Sequence, residues 1–145
     1  MKAVIQRVQK GRVSVEGKKI SEIKLGLVIL LGVGPDDTKE QAQKLAKKIS
    51  HLRIFEDENG KMNLSLIDIE GEALVVPQFT LFADTRRGHR PSFTDAAPPM
   101  IAEPLVDHFV SCLEEFVLLV SRGQFGAHML VEIHNDGPVT ILIED

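Results

Sequence analysis

From Lys2 to Val8 apolar and polar positions alternate, with Ala3 and Ile5 on one face and Val4, Gln6 and Val8 on the other. A period of two is the signature of a strand. Gly11 breaks the run. Val13 and Val15 then resume it up to Glu16-Gly17-Lys18-Lys19, a turn that predicts a hairpin returning through Ile20 to Ile23. Leu25 to Val33 is almost wholly apolar. Being short, β-branched and bounded by turns, it reads as a strand buried on both faces. After the turn Gly34-Pro35-Asp36-Asp37 the period becomes helical. Thr38 stands three residues before Gln41, the spacing of a capping box. Ala42, Leu45, Ala46 and Ile49 follow on one face, with Lys44, Lys47 and Lys48 on the other.

The rest of the chain is more broken. Strands near Leu52–Phe55 and Met62–Ser65 flank a turn over Glu56–Gly60, and Ala73–Leu81 is a further strand interrupted by Pro77. Asp84 to Pro99 reads as loop. The helix after it carries Ile101, Leu105, Phe109, Cys112, Leu113 and Phe116 on one face, with Pro104 compatible only with its first turn or nearby. Strands at Val117–Ser121, His128–His134 and Val139–Ile143 complete the chain. The sum is an α+β domain with two main helices and a mostly antiparallel sheet.

Composition narrows the class. At 145 residues, 43% of them hydrophobic and 26% charged, the chain is globular and of single-domain size. No Pro/Gly/Ser linker divides it, so residues 1–145 read as one domain. Cys112 is the single cysteine, which excludes an internal disulfide framework and fits the reducing cytoplasm. No Cys/His cluster offers a metal site, no cofactor fingerprint is complete, and no apolar run is long enough to span a membrane. The net charge of −4 argues, as a total, against a nucleic-acid partner. Its distribution is uneven: residues 1–50 carry 11 Lys+Arg and 5 Asp+Glu, whereas residues 51–145 carry 6 and 16.

Candidate chemistry is sparse. The five histidines are isolated, and no serine sits in a GxSxG elbow, so neither a metal site nor a Ser-His-Asp triad is spelled out. Two segments stand out. Pro77-Gln78-Phe79-Thr80-Leu81 closes an apolar strand, and a proline there requires an edge, a bulge or a terminus. That would free the N–H groups of Gln78, Phe79 or Thr80 to hold an oxyanion; an ordinary strand end is the plainer reading. Asn135-Asp136-Gly137-Pro138-Val139-Thr140 reads most simply as a hairpin turn on Asp-Gly. Its Gly-Pro bond could instead be cis, turning neighbouring carbonyls the same way as a receptor for a cationic amine. The loop Arg86-Arg87-Gly88-His89-Arg90 is either a solvated loop or a phosphate contact.

These segments, with Ala3–Val8, Leu52–Asp57, Gly60–Leu64, Arg90–Pro99 and Phe125–Ala127, resemble the D-aminoacyl-tRNA deacylase family from end to end. The resemblance implies a barrel-like α+β homodimer that hydrolyses the ester joining a D-amino acid to the 3′-terminal adenosine of tRNA. Glycyl-tRNA is implied as a second substrate. It implies a catalytic segment of Gln78, Phe79 and Thr80. Gly137 and Pro138, supplied across the subunit boundary as a Gly-cisPro motif, would hold the α-amino group and reject L side chains. Arg7 would brace that motif, and Ala102, Phe125 and Met129 would shape the pocket. The ribose 2′-OH would assist, so no strong protein nucleophile, metal or cofactor is expected. Pro77 departs from the serine usual in the family. Two rivals stand beside this reading. A general small-ester hydrolase would need a nucleophile and base that are not spelled out. A non-catalytic RNA-binding module would want stacking aromatics, yet the chain has no Trp or Tyr.

Overall fold

The computed structural model describes residues 1–145. The first strand, β1 (Lys2–Val15), turns through Glu16 and Gly17, both at positive φ (50° and 76°), into β2 (Lys18–Ile23). Such a two-residue turn matches the twist of the flanking strands. β3 (Gly26–Gly32) follows, then helix α1 (Lys39–Ser50). Thr38 and Gln41 form the expected capping box, and Ala42, Leu45, Ala46 and Ile49 are buried. A small hairpin of β4 (Phe55–Glu56) and β5 (Met62–Leu64) precedes β6 (Glu72–Pro77). Helix α2 (Pro99–Glu114), β7 (Val120–Arg122) and β8 (Met129–Glu144) complete the chain.

The α+β reading with two helices holds. The six-stranded sheet is mixed: β1 pairs antiparallel with β2, β3 and β8, while β3, β6 and β7 run parallel. β1 is the hub. One of its edges is shared between β3 and β2, and the other is covered by β8 almost from end to end.

β3 is buried on both faces, as its composition predicts. Leu27, Ile29 and Leu31 pack with α1 and α2 in the larger core, and Val28 joins Val8, Val13, Ile23, Leu74 and Val76 in a smaller core on the sheet's other face.

Three local expectations are corrected. Ala73–Leu81 is not one strand: β6 ends at Pro77, and Phe79–Phe82 is a 3-10 turn. Asn135–Thr140 is not a hairpin turn: it lies within β8, because β1 offers a partner edge on both sides of it. Pro104 lies inside α2, beyond its first turn; the helix starts at Pro99, and the Pro104 ring is on its exposed face.

Candidate active site

Pro77 ends β6 where its partner β7 has already stopped. In the parallel ladder Val75 accepts from Gly123 N–H on the β7 side, and Gln78 N–H donates to Leu31 O at 2.8 Å on the β3 side. Alternation turns position 77 toward the vacated β7 side, where a missing N–H costs nothing. It also corrects one expectation: the Gln78 N–H is not free. The 3-10 turn that starts at Phe79 leaves the Phe79 and Thr80 N–H groups without an acceptor in the turn, as at any helix start. The Gln78 side-chain amide donates to the Thr80 hydroxyl, which fixes that side chain beside the two open donors.

Gln78 and Phe79 line a cavity of about 600 Å³, and Thr80 follows them in the chain. The cavity opens where the two cores meet at the end of β6. Leu31, Val33, Ala97, Ala102 and Val106 come from the helix side, Val76, Met129 and Val131 from the other, and Gln78, Phe79 and Phe125 from the rim. Phe79 meets Phe93 edge to face, with ring centroids 5.1 Å apart. Of the residues singled out from the sequence, Gln78, Phe79, Ala102, Phe125 and Met129 line this one cavity, and Thr80 adjoins it. Phe93 and the Ala96–Pro99 wall were missed as site residues. Their signal was the Arg90–Pro99 segment, which carried the resemblance but no role. His128 also lines the cavity.

Arg7, Gly137 and Pro138 do not line it; they form a second group. Between the pairs Val8–Asn135 and Gln6–Thr140, four β8 residues stand opposite one β1 residue, so Asp136–Val139 bulges out of the strand. Its tip, Gly137–Pro138, is exposed; the peptide is cis, and Gly137 has φ +133°. Arg7 continues the inward phase of Ala3 and Ile5, so its guanidinium is carried beneath the bulge, and the residue is 5% exposed. Its Nε donates to Asp136 O at 3.0 Å and its Nη1 to Ile54 O at 2.8 Å. Asn135 closes the base of the bulge, accepting from Val139 N–H at 2.8 Å and donating to Gln6 Oε1 at 2.9 Å. Short polar side chains that bond nearby backbone in this way are a recognisable turn device, but nothing in the sequence marked Asn135 as a brace.

In the basic loop, Arg86 is committed to Asp84 through two side-chain bonds of 2.9 and 2.8 Å, which hold the Asp84 carboxyl down at about 2. Arg87, His89 and Arg90 remain exposed. No three His, Cys, Asp or Glu side chains converge as a metal would need, and no helix is long and apolar enough to cross a membrane.

The family model for D-Tyr-tRNA(Tyr) deacylase matches residues 4–144. A D-aminoacyl-tRNA deacylase of Thermosipho africanus is 57% identical over 144 residues, covering 99% of this chain and 97% of the relative. One from Roseiflexus castenholzii is 59% identical, with 99% and 92% covered. Among solved structures, a c-Myc DNA unwinding element binding protein superposes with a TM-score of 0.94 at 42% identity, covering 100% and 99% of the two chains. A probable eukaryotic D-amino acid tRNA deacylase gives 0.84 at 17% identity over 98% and 97%, a likeness of fold.

Proposed function

This chain belongs to the D-Tyr-tRNA(Tyr) deacylase family and is a D-aminoacyl-tRNA deacylase, and we propose how its residues divide that work. The aminoacylated 3′-adenosine enters the cavity behind Phe79, where apolar walls exclude bulk water and strengthen any polar contact with the ester. The scissile carbonyl oxygen lies against the Phe79 and Thr80 N–H groups. A water molecule, activated with help from the neighbouring ribose 2′-OH, attacks the carbonyl carbon and puts negative charge on that oxygen. Collapse of the adduct breaks the bond to the 3′-oxygen, which takes up the proton given up by the water, and releases the tRNA and the free amino acid. Donors aimed at such an oxyanion contribute roughly 2.7–4 kcal/mol each. Positioning supplies much of the remainder.

Chirality is read by the other group. The Gly137–Pro138 bulge of a second copy reaches into the cavity and presents carbonyls to the substrate's α-ammonium. With that amine fixed, an L side chain would point into the bulge, whereas a D side chain points away. Glycine carries no side chain to reject, so glycyl-tRNA is a second substrate. The protein thus works as a homodimer, in the cytoplasm where tRNA is charged. The basic first third, with Arg87 and Arg90, supplies phosphate contacts on a chain that is acidic overall, giving salt-sensitive binding suited to a substrate that must leave.

The observation that carries this reading is the pair of open N–H groups at the rim of an apolar cavity. The test is deacylation of D-tyrosyl-, L-tyrosyl- and glycyl-tRNA by the purified protein, with its mass in solution. Release of the D-amino acid and of glycine, with the L ester intact and a dimeric mass, is expected. Comparable hydrolysis of the L ester, or a monomer with full D selectivity, would overturn the chiral role of the bulge.

A further inference from the structure

A second hollow of about 320 Å³ adjoins the main cavity and shares Pro77, Val106 and Phe125 with it. Its chemistry is different. Helix α2 turns Ala102 and Val106 to the main cavity and Glu103 and Asp107 to this one, and Arg122 reaches in from the end of β7. Arg122 Nη1 and Asp107 Oδ1 are 2.7 Å apart, and both side chains are more than half exposed. An open ion pair of this kind adds little stability. It leaves one carboxylate oxygen as acceptor beside the remaining guanidinium donors.

We propose that this hollow binds the nucleotide preceding the terminal adenosine, and that Asp107 and Arg122 together read it as a cytosine. This rests on the function proposed above, because it places the aminoacyl-adenosine in the adjoining cavity. The Watson–Crick edge of cytosine presents an amino donor followed by two acceptors. A carboxylate accepts from that amino group, and the guanidinium donates to N3 and O2. Uracil offers an acceptor where the carboxylate needs a donor, and a donor at N3 where the guanidinium also donates. Guanine is mismatched in the same two places. A phosphate is the poorer occupant, since Glu103 and Asp107 outnumber Arg122. Phe125, common to both walls, offers a ring on which the base can stack. Every tRNA ends in cytosine-cytosine-adenosine, so the hollow would check that the acceptor end is intact rather than distinguish among tRNAs.

The test uses the full protein and D-tyrosyl-tRNA bearing either C or U at the penultimate position. Wild-type protein is expected to prefer the C substrate by roughly tenfold or more in kcat/KM, the scale of one good bidentate base contact. The preference should lie mainly in KM, and in both Arg122→Ala and Asp107→Asn it should fall toward one. Competition by the dinucleotides CpA and UpA against the wild-type enzyme gives the same comparison without any variant. CpA should inhibit at roughly tenfold lower concentration. Equal rates on the two tRNAs with equal inhibition by the two dinucleotides would overturn the assignment, as would a preference that survives both substitutions. Failure of the wild-type protein to hydrolyse the C substrate would instead overturn the function it rests on.

Discussion

Replacing Arg7 by Ala tests the link between the buried cation and the exposed bulge. The guanidinium donates to Asp136 O and Ile54 O at 3.0 and 2.8 Å and lies 3.3 Å from Asp136 Oδ2. Hydrogen bonds to charged groups contribute about 1.5–3 kcal/mol each. Two of them, less what water recovers on entering beside the exposed Glu56, give an expected loss of about 3 kcal/mol. For a chain of this size, that corresponds to a drop in Tm of roughly 6–12 °C. Arg7→Lys keeps the charge but can satisfy only one of the two carbonyls well, so about half the loss is expected. Urea denaturation gives the stability change, and D- and L-tyrosyl-tRNA give the selectivity of the same samples. Arg7→Ala should lose D-over-L discrimination at temperatures where it is still folded, because the bulge has lost its anchor. A stability loss below about 1 kcal/mol, or full discrimination in a folded Arg7→Ala, would refute the reasoning.

Gly137→Ala places a Cβ 2.8 Å from Val139 Cγ2 and 3.2 Å from Arg7 Nη2 at φ +133°. A cost of about 1–3 kcal/mol and a clear fall in D-aminoacyl-tRNA turnover are expected, read by urea denaturation and deacylation. Pro77→Ser restores an N–H on the side that β7 has left, so kcat/KM should change by less than about threefold; an inactive wild type rescued by the serine would contradict this. Glu22 is held down at about 2, first by its bond to Arg12 and then by Lys19 and Lys10. A depressed folded-state pKa gives stability that is complete above the ordinary carboxylate value of 4.5 and lost as pH falls toward 2. Glu22→Gln should therefore flatten part of the acid limb of a stability–pH curve between those values, and leave the slope above pH 5 unchanged.

What was legible in the sequence was what depends on near neighbours. Thr38 and Gln41 announce α1 because a capping box is closed within one turn of chain. Glu16-Gly17 announces the β1–β2 hairpin for the same reason. The failures lie where a distant partner decides. Asp136-Gly137 is a good local turn signal, yet β1, some 130 residues earlier, offers an edge on which Asn135 and Thr140 both pair, and the turn becomes a bulge. Pro77 correctly marks a strand end, but whether Gln78 N–H was free depended on Leu31 O, which no local pattern locates. The period-two phase of Ala3 and Ile5 already pointed Arg7 inward. Its two carbonyl partners come from elsewhere in the chain. The site residues were legible chiefly through the family resemblance. Their division into a cavity group and a bulge group emerged only from the fold.

The pairing of β1 with β8 also sets the order in which the molecule can be completed. During synthesis β1 keeps one long edge unsatisfied until residues 129–144 have been made, since Lys2 pairs with Glu144 and Val15 with Met129. Through most of synthesis Val8 and Val13 can be covered by β2, β3 and β6, but the donors and acceptors of β1 that face β8 stay open. Open strand edges invite pairing with other chains, and partly built chains are where such errors arise. Lys2 and Arg12 stand opposite Glu144 and Glu132 on that edge, and charged side chains on an open strand edge disfavour pairing with a second copy.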